Sequence, residues 1–121
     1  MYNFLTLIFI GLLLTSCSNQ GLTEQEVCPC ADTLTDNSTG STFYLDSTYT
    51  NIYAFRNNEL LWQTNPRIDH PLQPYRHDNP SIRYFDFVTW RDEEFIGISY
   101  TNSQFGNINK ETGEFLFLGQ D

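Results

Sequence analysis

The chain has 121 residues, six basic against fifteen acidic side chains, a formal net charge of −9 and a pI near 4.4. With no basic stripe to displace phosphate counterions, this composition argues against nucleic-acid binding, and it argues equally against docking on anionic lipid headgroups. The length suits one domain with a modest core.

In chain order, the first element is the run Phe4–Leu14, FLTLIFIGLLL, in which only Thr6 is polar. As a helix it is about 16 Å long at about 1.5 Å per residue, too short for a bilayer core that takes about twenty residues. It is apolar on every face, unlike a helix packed on one side of a globular core. Small residues and a cysteine follow, Leu14-Thr15-Ser16-Cys17, as after the apolar core of a secretory signal. This tetrapeptide resembles a bacterial lipobox. The resemblance implies a lipoprotein signal peptide over 1–16, cleaved so that Cys17 becomes the first mature residue. Cys17 would then carry diacylglycerol in thioether linkage plus an N-acyl chain, and several acyl chains anchor stably where one is marginal. Met1-Tyr2-Asn3 departs from the pattern in having no Lys or Arg. Ser18, in place of an aspartate, implies a lipid-anchored protein of the outer membrane in the cell envelope. The membrane partner is thus reached through Cys17.

Residues 17–41 read as the lipidated cysteine and a flexible acidic tether, polar and poor in large apolar residues. Glu24, Glu26, Asp32, Asp36 and Asp46 all precede the first basic side chain, Arg56. Lipidation of Cys17 leaves Cys28 and Cys30 of the three cysteines. Three readings of this Cys-Pro-Cys stand side by side: a small, strained local disulfide, a soft-metal thiolate pair, or two thiols in a linker. Two ligands fall short of the four in a closed zinc site.

From Thr42 to Asp121 the pattern predicts an all-β domain of about seven antiparallel strands. The runs are 42–46, 49–56, 59–64, 82–90, 95–100, 104–109 and 114–119. Asn57-Asn58 suits a two-residue type I′ turn. The register that follows pairs Arg56 with Glu59 and Tyr53 with Trp62. It puts Tyr53, Phe55, Leu60 and Trp62 on one face and Ile52, Ala54 and Leu61 on the other. The connection 65–80 holds four of the five prolines and predicts irregular backbone. The last four runs are joined by RDEE, TNS and KETG, with Gly113 placed for a left-handed loop position, and predict a four-stranded meander. No helical period follows residue 17.

Glu59-Leu60-Leu61-Trp62 matches Glu114-Phe115-Leu116-Phe117 as a weak internal repeat. Tyr53-Ala54-Phe55 with Leu60-Leu61-Trp62, and Ile108-Asn109, Thr112-Gly113 and Leu116-Phe117, resemble the outer hairpin of a quinoprotein-type (PQQ-like) β-propeller blade. The resemblance implies blade-like meanders with aromatic interfaces. A ring needs at least about four blades of about forty residues. The chain has room for two, so no closed propeller is expected, and no quinone or other cofactor is carried over.

For chemistry, Asp69-His70 and His77-Asp78 pair imidazoles with carboxylates, but the prolines between them keep both rings off one helix face, and solvated loop histidines are the simpler reading. Asp92-Glu93-Glu94 has oxygen ligands for a hard cation, yet fits a solvated turn better. No nucleophile elbow or phosphate loop occurs, so the chain reads as non-catalytic. The remaining signal is aromatic: two tryptophans, seven tyrosines and ten phenylalanines. A small β domain buries most of these, but Trp62, Tyr75, Tyr84 and Trp90 are candidates for an open patch. The expected function is an envelope lipoprotein that binds a protein partner through this aromatic-rich surface. Surface glycan capture is the alternative, and metal handling through Cys28 and Cys30 or His70 and His77 stands behind it.

Overall fold

A computed structural model describes residues 22–69 and 79–120. Residues 1–16, read above as a signal peptide, and Cys17, His70, Tyr75, His77 and Asp78 lie outside the described residues. The elements in chain order are α1 (Glu24–Val27), β1 (Cys30–Asp36), β2 (Ser41–Asp46), β3 (Ile52–Arg56) and β4 (Glu59–Thr64). They continue with α2 (Pro66–Asp69), β5 (Ile82–Trp90), β6 (Glu93–Tyr100), β7 (Gln104–Ile108) and β8 (Phe115–Gln120). The strands form two four-stranded antiparallel sheets, β1-β2-β3-β4 and β5-β6-β7-β8. Each is a simple meander, and the expected all-β antiparallel class holds.

The turns explain the meanders. Asn57 and Asn58 have φ of 52° and 64°, as a type I′ turn requires. Arg91 and Asp92, at 53° and 65°, make a second such turn, so the RDEE connection narrows to two residues and Glu93 and Glu94 join β6. Gly113 takes the left-handed position, φ 76°, and its N–H donates to the Asn109 carbonyl at 2.8 Å. Gly40 repeats this between β1 and β2, with φ 76° and its N–H 2.9 Å from the Asp36 carbonyl. Between β2 and β3 the Asp46 carboxylate gathers the Thr48 hydroxyl, the Thr50 and Asn51 amides and the Asn51 side chain within 2.7–3.2 Å. Burial alone would raise its pKa; these four donors outweigh that and lower it.

Two expectations are corrected here. α1 and β1 occupy residues 24–27 and 30–36 of the stretch read as a tether, so the described residues hold eight strands where about seven are expected. β1 escapes a reading by apolar content because it is an edge strand: only Ala31 and Leu34 pack on the core, and its Thr33 and Thr35 are exposed. α1 and α2 are single turns, too short to show a helical period.

The second correction concerns register. β3 and β4 pair as expected at Arg56–Glu59 and Phe55–Leu60, then a bulge sets Ala54 opposite Trp62 and leaves Leu61 without a partner. One inserted residue reverses the side-chain alternation beyond it. Trp62 therefore joins Phe43, Ile52 and Ala54 on the inner face, while Tyr53, Phe55 and Leu60 stay on the outer. The core lies between the sheets. Phe43, Leu45, Ile52, Ala54 and Trp62 from the first meet Ile82, Phe85, Ile96, Ile98, Tyr100, Ile108 and Phe115 from the second. Phe43 links them through rings 5.9 Å from Trp62 and 6.0 Å from Phe87.

Candidate interaction surface

The two sheets finish their outer faces differently. On the first, Phe55 is fully buried, its ring 5.9 Å from Tyr44 in a T-shaped contact. α1 is held at this sheet: the Tyr44 hydroxyl donates to the Glu24 carboxylate at 2.8 Å, and Val27 is buried apart from the main core. Burial and the Glu24 hydrogen bond push the Tyr44 phenol up to about 12. α1 is itself closed at its start, where the Thr23 hydroxyl donates to Glu26 at 2.9 Å.

On the second sheet no described element lies over the outer face. The ladder β5–β6 sets Tyr84, Val88 and Trp90 on that face together with Phe95. Val88 folds over Gly97, where an added Cβ would meet its Cγ1 at 2.7 Å. Trp90 meets Phe95 at 6.0 Å between centroids, and the Arg91 guanidinium lies 4.4 Å from the Trp90 ring centre. Tyr84 is 46% exposed.

The same sheet ends at β8, an edge strand among the described residues, where Leu116 lies on this face and Phe117 on the side of Phe115. Leu116, Phe117 and Leu118 are 45%, 44% and 37% exposed, three apolar side chains in succession. A bulge at Phe105/Gly106 leaves Leu118 out of the ladder. The other three edge strands carry charges that discourage strand pairing: Asp32 and Asp36 on β1, Glu59 on β4, Arg83 and Asp86 on β5. β8, FLFLGQ, carries none. Around this apolar centre the acids Asp86, Asp92, Glu93 and Glu114 are exposed.

Two exposed cations, Arg83 and Arg91, lie beside these acids, and two others join the sheets. Lys110 Nζ sits 2.7 Å from Asp36 Oδ2 and 2.8 Å from Glu94 Oε1. The ammonium, with help from Ser38, holds the Asp36 carboxyl well below the usual carboxylate range. For Lys110, desolvation lowers the pKa, but its two carboxylates outweigh that and raise it. Arg56 lies opposite Glu59 in the ladder, but its guanidinium pairs across the molecule with Glu111 at 2.9 Å, so the expected Arg56–Glu59 ion pair gives way to one that joins the sheets.

Of the aromatic candidates, Tyr84 and Trp90 come together on one face, Trp90 half-buried. Trp62 does not join them. It is 9% exposed, its Nε1–H donates to the Lys110 carbonyl at 2.8 Å, and Gly113 lies against its ring. Tyr75 lies outside the described residues. Leu116, Phe117 and Leu118 were not among the candidates. Their signal is an uncharged, non-alternating apolar run at the end of a meander, which is where an edge strand must fall. The Asp92-Glu93-Glu94 run is dispersed between a turn and a strand, and among the described residues no three His, Cys, Asp or Glu side chains converge as for a metal. Asp69 accepts hydrogen bonds from Thr64 and Asn65 at 2.8 and 3.0 Å. Cys28 is exposed and Cys30 half-buried, both as thiols, with their sulfurs 2.9 Å apart.

No family model, curated protein or solved structure matches the chain.

Proposed function

We propose that this is a non-catalytic lipoprotein of the cell envelope that binds a protein partner, which adds a strand to β8 and packs apolar side chains beside Leu116 and Tyr84. The carrying observation is the β8 edge, uncharged and apolar over three successive exposed residues. Strand addition suits such an edge, since the ladder supplies affinity and alternate side chains supply selectivity. The acids around it favour a partner segment with basic flanks, and a second copy of a chain with net charge −9 would bring like charge. Anchoring at the outer membrane through lipid on Cys17 belongs to this reading and rests on Leu14-Thr15-Ser16-Cys17. Glycan capture has less behind it: Trp62 is in the core, and Arg91 lies over the Trp90 ring.

The test is photo-crosslinking in native envelopes with a reactive side chain at Leu116 or Leu118, and at Leu61 of the first sheet as control. A discrete protein adduct from β8 but not from Leu61, lost on Phe117→Lys, supports the reading. No adduct, or the same adducts from Leu61, overturns it.

A further inference from the structure

Cys28 and Cys30 stand apart from the surface just described. They lie where α1 gives way to β1, beside the Glu24–Tyr44 contact. Their sulfurs are 2.9 Å apart, and the Cys30 sulfur is 3.5 Å from the Thr33 hydroxyl. Both flanks of the pair are fixed: Val27 is buried, and Cys30 opens the ladder opposite Asp46. The fold therefore holds two thiols together that a flexible tether would leave to chance.

We propose that Cys28 and Cys30 form a thiol–disulfide exchange site that takes a disulfide-bearing molecule at Cys28 and closes as an intramolecular bridge. Cys28 is the entry point because it is the exposed member. Its thiolate attacks one sulfur of the incoming disulfide, and the other sulfur leaves as a thiolate. The Cys30 thiolate then attacks the Cys28 sulfur of the mixed disulfide, and the second incoming sulfur leaves. The chain has lost two protons and two electrons, and the incoming disulfide has become two thiols. The Cys30 hydrogen bond, followed by burial, pushes the Cys28 thiol up from its ordinary range. The closed bridge staples the α1–β1 corner and so fixes the cap on the first sheet. This inference is independent of the β8 surface.

The experiment uses the full chain carrying Cys17→Ser, which leaves these two thiols, titrated with oxidised and reduced glutathione and mapped by mass spectrometry. The pair should lose two hydrogens as oxidised glutathione rises and retain no adduct. Cys30→Ser should keep one glutathione on Cys28, and Cys28→Ser should load Cys30 severalfold more slowly. Closure should be faster in the folded chain than in urea. Stable double adducts, thiols that persist in excess oxidised glutathione, equal loading of the two single variants, or faster closure in urea would each overturn the proposal.

Discussion

The two sheets share strand count, meander order and tight turns, yet among the described residues only the first carries a helical turn at its outer face. On the first, Phe55 is fully buried with the Tyr44 ring against it, and Tyr44 in turn holds the helical turn α1 through Glu24. On the second, Tyr84 and Leu116 keep nearly half their surface in water. Identical topology thus does not dictate identical burial: Phe55 is wholly enclosed on one outer face, whereas Tyr84 stays exposed on the other.

The comparison breaks most sharply at Phe55. Phe55→Ala should cost about 3–5 kcal/mol in chemical denaturation, as for a large core ring, whereas Leu116→Ala should cost under about 1 kcal/mol. Comparable losses at both positions would mean that the faces do not differ.

Next comes the lock between the sheets. Asp36→Asn should cost about 1–3 kcal/mol at neutral pH, because a nearly buried partner of Lys110 loses its charge. The sign follows from the depressed carboxyl of the native state. Its contribution is complete above the unfolded pKa of about 4 and is lost as pH falls below it. Denaturation midpoints of the parent chain should therefore drop in acid more steeply than those of Asp36→Asn.

A smaller effect separates the cap from the sheet beneath it. Val27→Ala removes about two buried methylene equivalents, about 1.6 kcal/mol. The Tyr44 phenol is raised in the native state, so its share of the cap is complete below pH about 10 and is lost as pH rises toward about 12. Alkaline titration should loosen amide protection in α1 before it disturbs β5–β8, as read by hydrogen exchange. Smallest of all, Tyr84→Ser should shift stability by less than about 0.5 kcal/mol while weakening any partner captured at β8.

Much of this arrangement is legible in the chain. Asn57-Asn58 and Gly113 announce their turns because few residues accept positive φ, and the seven apolar runs become seven strands. The repeat between 59–62 and 114–117 falls on the fourth strand of each sheet. What escapes is set by nonlocal pairing. Nothing near Leu61 marks a bulge, yet that one residue moves Trp62 from a presumed surface into the core. β1 escapes for the opposite reason: it contributes backbone hydrogen bonds at an edge more than apolar mass, and its Thr-rich letters resemble those of a linker. The exposed patch was half visible, since Tyr84 and Trp90 alternate correctly along β5, but β8 reveals itself only once the order of strands is known.

The same bulge gives the molecule two separate optical reporters. Trp62 is clamped between the sheets, its indole N–H on the Lys110 carbonyl, while Trp90 stands on the open face under Arg91. With Trp90 replaced by Phe, emission reports separation of the layers; with Trp62 replaced, it reports events on the outer face alone. A ligand that settles on the second sheet should change the colour of one fluorophore and leave the other unchanged.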